Sequence, residues 1–184
     1  YKSVMGLPRI LKMTPETIFQ PGPYLFARPE PRPAALVPEH RHIGLVWGGS
    51  TTFAKDPQRS LPHFRILAPL LEVSGCRFHS LYVGPRMGEL EGFGVDNPAK
   101  GFQDFDDTAA YLQHLDLVIT TCTSVAHLAG ALGKPVWLLL HHVPYWVWYP
   151  YGETTRWYPS MRLFKQKPPG DWSEIVERVR KALM

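Results

Sequence analysis

From Ile43 onward the chain repeats one unit: a short apolar run, a turn, and a longer segment with helical spacing. No other feature narrows the fold as far, because apolar runs alternating with helical segments are parallel strands joined by crossover helices. The expected fold class is therefore α/β, a Rossmann-like doubly wound parallel sheet. The pattern predicts strands at Ile43–Trp47, Arg77–Val83, Leu117–Thr121, Pro135–Leu140 and Arg162–Lys165. Between them it predicts a helix from Pro62 to Leu71 with Ser60 available as its cap, a second from Asp106 to His114, and a third from Ser124 to Leu132 closed by Gly133. Paired aspartates at 106 and 107 suit the positive end of the second helix. Gly84 to Gly94 is too broken by glycine to assign. Asp171 to Leu183 is amphipathic, with Trp172, Ile175, Val179 and Leu183 near one face, and should cover the sheet edge.

Residues 1–41 differ in kind. Pro21, Pro23, Pro29, Pro31, Pro33 and Pro38 fix backbone angles and remove amide donors, so this stretch is expected to be an extended connector ahead of one domain, residues 42–184. A chain of 184 residues that is 45% hydrophobic can bury one substantial core. No internal repeat of fixed period is visible.

Several function classes fall away. The formal charge of +4 comes from scattered residues, and no Lys/Arg run of nucleic-acid type occurs. The most apolar stretch, Val136 to Leu140, is too short to cross a bilayer, and a soluble, cytoplasmic protein is expected. Cys76 and Cys122 each sit in an apolar run, which points to two buried thiols in a reducing compartment rather than a disulfide scaffold.

Ligands of open parallel sheets bind beyond the carboxyl ends of the strands, so the loops after Trp47, Val83, Thr121 and Leu140 should line one crevice. After Thr121, the run Cys122-Thr123-Ser124-Val125 places hydroxyls and free amides at a helix start, where a phosphate would be stabilised. The competing reading is that Thr123 or Ser124 only caps the helix. After the first strand, Gly48 and Gly49 permit close backbone approach, Ser50 follows, and Lys55 and Arg59 are candidate cations for a diphosphate. His127 lies about one turn into the later helix and reads as a structural histidine. Asp104-Phe105-Asp106 has a metal-binding spacing, but helix capping is the preferred reading. His141 and His142 point opposite ways on extended chain and lack a third ligand, so no zinc is expected. Tyr145, Trp146, Trp148, Tyr149, Tyr151, Trp157 and Tyr158 could stack on a base or a sugar or pack over the sheet, and read mostly as core or domain interface.

Taken in order, I-G-L-V-W-G-G, Q-R-S-L-P, D-F-D-D-T-A-A, D-L-V-I-T-T-C-T-S-V-A-H-L-A-G-A-L-G-K-P-V-W and R-W-Y-P-S-M-R-L-F resemble bacterial tetratricopeptide-linked glycosyltransferase-like proteins. The entry segment M-G-L-P-R-I-L-K-M-T-P-E-T-I is similar to the stretch between their two Rossmann-like halves, which implies that the N-terminal half is missing here. More distantly the pattern is similar to heptosyltransferases and to O-linked N-acetylglucosamine transferases. The resemblance implies the C-terminal, nucleotide-sugar-binding half of a GT-B enzyme that needs neither metal nor other cofactor. Its donor would be of UDP, GDP or ADP type, and its partners the missing half and tetratricopeptide repeats. By this resemblance A-K-D-P places Lys55 on the donor phosphates, and the helix start at Thr123 and Ser124 matches the phosphate-binding turn. The expected donor-binding set is Gly49, Ser50, Lys55, Arg59, Cys122, Thr123, Ser124 and Val125; no catalytic residue is assigned. Two departures stand out: relatives carry aspartate where Cys122 stands and arginine where Val147 stands. The alternative is therefore a catalytically degenerate domain kept for protein interaction or ligand sensing. Another doubly wound nucleotide-binding protein would need G-x-G-x-x-G or G-K-[ST], and neither occurs.

Overall fold

A computed structural model describes residues 6–17, 22–148 and 152–184. Pro21 of the connector and Tyr149 and Tyr151 of the aromatic cluster lie outside the described residues. Five strands form one sheet: β1 (Arg41–Val46), β2 (Cys76–Ser80), β3 (Leu117–Thr121), β4 (Val136–Leu140) and β5 (Met161–Lys165). Their spatial order is β2-β1-β3-β4-β5, and every pairing is parallel. The doubly wound α/β sheet expected from the alternating pattern is the one observed. β3 is buried throughout and β1 from His42 on, as strands covered on both faces must be.

Among the described residues six α-helices occur: α1 (Leu7–Ile10), α2 (Asp56–Arg59), α3 (Ala68–Leu71), α4 (Phe105–Leu112), α5 (Ser124–Ala131) and α6 (Trp172–Leu183). Asp104 caps α4, its Oδ1 accepting from the amides of Asp106 (2.8 Å) and Asp107 (3.1 Å), so the D-x-D spacing serves the helix start. Asp171 caps α6 in the same way through Ser173 and Glu174. The buried face of α6 comprises Trp172, Ile175, Val176, Val179 and Leu183, and it packs on α3 and β5. Gly133, at φ +73°, closes α5 as expected.

Several element boundaries differ from the sequence reading by a residue or two, and two segments differ more. β2 stops at Ser80 rather than Val83, because Tyr82 and Val83 leave the ladder and Val83 is 58% exposed. The segment from Pro62 to Leu71 is a 3-10 turn (Phe64–Leu67) followed by α3, and His63 rather than Ser60 accepts from the first turn. Gly84 to Gly94 contains a 3-10 helix, Pro85–Leu90.

The connector has no regular structure from 22 to 33, yet it is tied to the domain. The amides of Tyr24 and Leu25 both donate to the Ala131 carbonyl at the end of α5. Arg28 reaches Asp106 (2.5 Å) and Asp107 (2.6 Å) on the first turn of α4. Beneath the next stretch of connector lies a buried chain of polar rings. His42 Nε2 faces the Val37 carbonyl at 2.7 Å and can only donate to it, so His42 Nδ1 accepts from His79 Nε2 at 2.8 Å. His79 Nδ1 then accepts from the Tyr111 hydroxyl at 3.1 Å. Burial pulls His79 down to about 4, with the Asp96 carboxylate opposing.

Candidate functional site

The strand order reverses between β1 and β3, and the crevice beyond their carboxyl ends is where this topology holds ligands. Two clefts open there. The smaller, about 600 Å³, lies between the loop after β1 and the loop after β2, with Tyr82 and Phe105 in its walls. The larger, about 1170 Å³, extends over the ends of β4 and β5 and is walled by Tyr145, Trp146 and Trp172. Thr123, Ser124 and Arg59 line both, so the start of α5 and one guanidinium form their common wall.

That helix start is bare. Thr123 occupies the cap position in extended conformation, but its hydroxyl makes no capping bond. It lies 3.1 Å from the hydroxyl of Thr120 instead. The Ala126 amide donates to the Thr123 carbonyl, while Ser124 and Val125 are the first two helical residues, whose amides have no intrahelical acceptor and so suit an anion. The reading in which Thr123 merely caps the helix therefore has no hydrogen bond to support it.

The loop after β1 is held open by an internal brace. Ser60, read from sequence as a helix cap, accepts from the Gly49 amide at 3.0 Å across the loop. Gly49 leaves room for the Arg59–Asp56 pair: a Cβ there would lie 2.5 Å from Asp56 Oδ1 and 2.9 Å from an Arg59 nitrogen. Arg59 is bonded to Asp56 (3.2 Å) and lies 4.4 Å from the Phe53 ring centroid, so its charge is held at the clefts by a partly neutralising partner. Lys55 stands at the head of α2, exposed, on the larger cleft. Ser50 lines the smaller cleft, its hydroxyl 2.8 Å from that of Thr52.

Of the eight expected donor-binding residues, Gly49, Ser50 and Val125 thus line the smaller cleft, Lys55 and Cys122 the larger, and Arg59, Thr123 and Ser124 both. Cys122 is buried, and its Sγ accepts the Trp148 indole N–H at 3.1 Å. Burial pushes the thiol up from its ordinary value, against the Trp148 bond and the Arg59 charge. His127 bonds the Tyr158 hydroxyl at 3.0 Å, stacks on Trp148 and also lines the larger cleft, and burial lowers its pKa. Tyr82, Phe105, Gln166 and Trp172 also line the clefts and were not among the sequence candidates. Gln166 directly follows β5, so the rule that ligands lie beyond strand ends was the one signal able to find it. Among the described residues no group of three or more His, Cys, Asp or Glu is placed to hold a metal ion. Among them, too, no helix is long and apolar enough to cross a membrane.

No family model matches the chain. Over 150 residues it is 32% identical to Protein FlbA of Caulobacter vibrioides, covering 77% of this chain and 24% of that protein. Among solved structures it is similar to the E. coli ADP-heptose LPS heptosyltransferase II, with a TM-score of 0.55 and 18% identity over 80% of this chain and 47% of that one. The E. coli heptosyltransferase WaaC with ADP gives a TM-score of 0.55 and 20% identity over 79% of this chain and 45% of WaaC. The chain thus spans less than half of those enzymes and about a quarter of FlbA. At such identity the likeness establishes the fold: a Rossmann-like unit of the GT-B glycosyltransferase type, as expected from the sequence.

Proposed function

We propose that residues 42–184 are the donor-binding domain of a glycosyltransferase that moves a sugar from a nucleotide-sugar to an acceptor without a metal ion. The observation that carries this reading is the uncapped start of α5, set at the switch point of the sheet between two clefts. The diphosphate would lie against the amides of Ser124 and Val125, with Lys55 and Arg59 supplying positive charge. As the bond to the sugar breaks, negative charge grows on the departing diphosphate, and preorganised amides and cations stabilise it there. Loss of the acceptor's proton requires a base, which in this reading comes from a partner half absent from this chain, as do any tetratricopeptide repeats. Residues 1–41 would then be the connector between the halves. WaaC was solved with ADP and with ADP-2-deoxy-2-fluoro heptose, which supports a nucleotide-sugar as the ligand class.

One observation favours a binding module without catalysis. Cys122 is buried and engaged by Trp148, and among the described residues no carboxylate lines either cleft. A thiol is a poor acceptor for sugar hydroxyls.

Calorimetric titration with ADP, UDP and GDP in the presence of EDTA tests the proposal. Ser124→Pro is the informative variant. Proline is accepted at the first position of a helix and Thr123 is already extended, so the change removes one amide donor and little else. Saturable binding that weakens about tenfold in Ser124→Pro and in Lys55→Ala is expected. No binding of any nucleoside diphosphate would sink the donor-domain reading and favour the module.

A further inference from the structure

Gln166 follows the last residue of β5 and lines the larger cleft, with only 3% of its surface exposed. Its Oε1 accepts from two main-chain donors, the His142 amide at 3.1 Å and the Gly170 amide at 3.3 Å. These bonds fix the orientation of the side-chain amide, since the reversed one would set N–H groups against N–H groups. Nε2, with both of its hydrogens, then has no acceptor among the described residues. A buried donor left in that state costs about 1–3 kcal/mol. Such a group is retained where something else supplies the acceptor.

The surroundings define what that acceptor is. Among the described residues Lys55 and Arg59 are the lysine and arginine that line this cleft, Arg59 sharing both clefts with the start of α5, and no Asp or Glu lines it. Around Gln166 the walls are aromatic: Trp172 is buried, while Tyr145 and Trp146 are 41% and 48% exposed. Aromatic faces with a few directed donors suit a neutral, oxygen-rich group rather than a second phosphate. Building on the donor-domain reading above, we propose that Gln166 donates through Nε2 to an oxygen of the glycosyl group carried by the nucleotide-sugar, and so sets which sugar the larger cleft accepts. Gln166 thereby becomes a specificity-determining residue, and the walls of Trp146 and Tyr145 pack against the sugar's C–H face.

Calorimetry on the full chain separates this inference from the reading beneath it. ADP, UDP and GDP would be compared with ADP-glucose, UDP-N-acetylglucosamine and GDP-mannose, in the native protein and in Gln166→Glu. Glutamate keeps an oxygen for the two main-chain amides and replaces both donors with an acceptor. Affinity for the diphosphates should stay within about twofold, while affinity for the tightest nucleotide-sugar falls about tenfold or more. Trp146→Ala, at a half-exposed position where folding is not at stake, should show the same selective loss. Unchanged nucleotide-sugar affinity in both variants would overturn the inference, leaving a bound water as the only acceptor. An equal loss for diphosphates and nucleotide-sugars would overturn it too, by making Gln166 a structural residue. Failure of the native protein to bind any diphosphate would instead strike the donor-domain reading itself, and the inference with it.

Discussion

Lowering the pH from 7 to 5 should destabilise this protein through one buried ring. His79 is fully buried and sits mid-chain between Tyr111 and His42, where it accepts from one and donates to the other. Protonation would give the ring a second N–H, on Nδ1, facing a hydroxyl that already donates there. Burial lowers the folded-state value from 6.5 to about 4; the Asp96 carboxylate at 3.6 Å opposes this, and the Arg77 charge adds to it. The sign follows directly. The unfolded chain takes up a proton below about 6.5 while the folded chain does not until about 4, so the stability is whole above 6.5 and drains away as the pH falls between these values. By linkage the loss is about 2 kcal/mol at pH 5 and about 3 kcal/mol below pH 4. Urea denaturation at pH 7, 6, 5 and 4.5 would measure it in the native protein and in His79→Gln, whose amide can also donate to His42 and accept from Tyr111. The variant is expected to start lower and to lose about 2 kcal/mol less between pH 7 and 5. Parallel pH profiles in the two proteins would refute the assignment.

Three further outcomes are expected. A methyl group on Gly130 would sit 2.5 Å from the Tyr158 ring, so Gly130→Ala should lower stability by about 1–3 kcal/mol through overpacking, seen as a fall in melting temperature of several degrees. Arg28→Ala removes the pairs to Asp106 and Asp107; amide exchange at Tyr24 and Leu25 should quicken while the melting temperature barely moves, because the pairs are exposed. With iodoacetamide at pH 8, followed by mass spectrometry, the partly buried Cys76 should be labelled before the buried Cys122, and burial pushes both thiols up from their ordinary value. Equal labelling rates would contradict the described packing around Cys122.

Central strands were readable because two covered faces leave a continuous apolar run: β3 and β4 appear in the sequence almost as they stand in the sheet. The end of β2 was not, since Leu81 and Val83 prolong the apolar alternation past the last ladder bond, and one of them ends in solvent. Single-turn α2 has too few residues to show a period. The place of Thr123 and Ser124 at a helix start bordering both clefts was legible because a helix start after a central strand has one geometry in this topology. Ser60 was misplaced because its partner, Gly49, is a long-range brace and the local signal for a cap is the same serine. Beyond its place after β5, Gln166 carried no local sign, since the His142 amide that its side chain accepts from is 24 residues away. The ring chain of His42 and His79 joins two strands and a helix, and it leaves no pattern in any one of them.

The two clefts divided by the start of α5 invite a ligand with two arms. A fragment held weakly in the smaller hollow, joined by a short bridge to another held weakly in the larger, would meet its second hollow at an effective concentration in the millimolar range. Inhibitor chemistry for a protein of this shape therefore starts from linkers that cross Ser124, not from a single tight-fitting core.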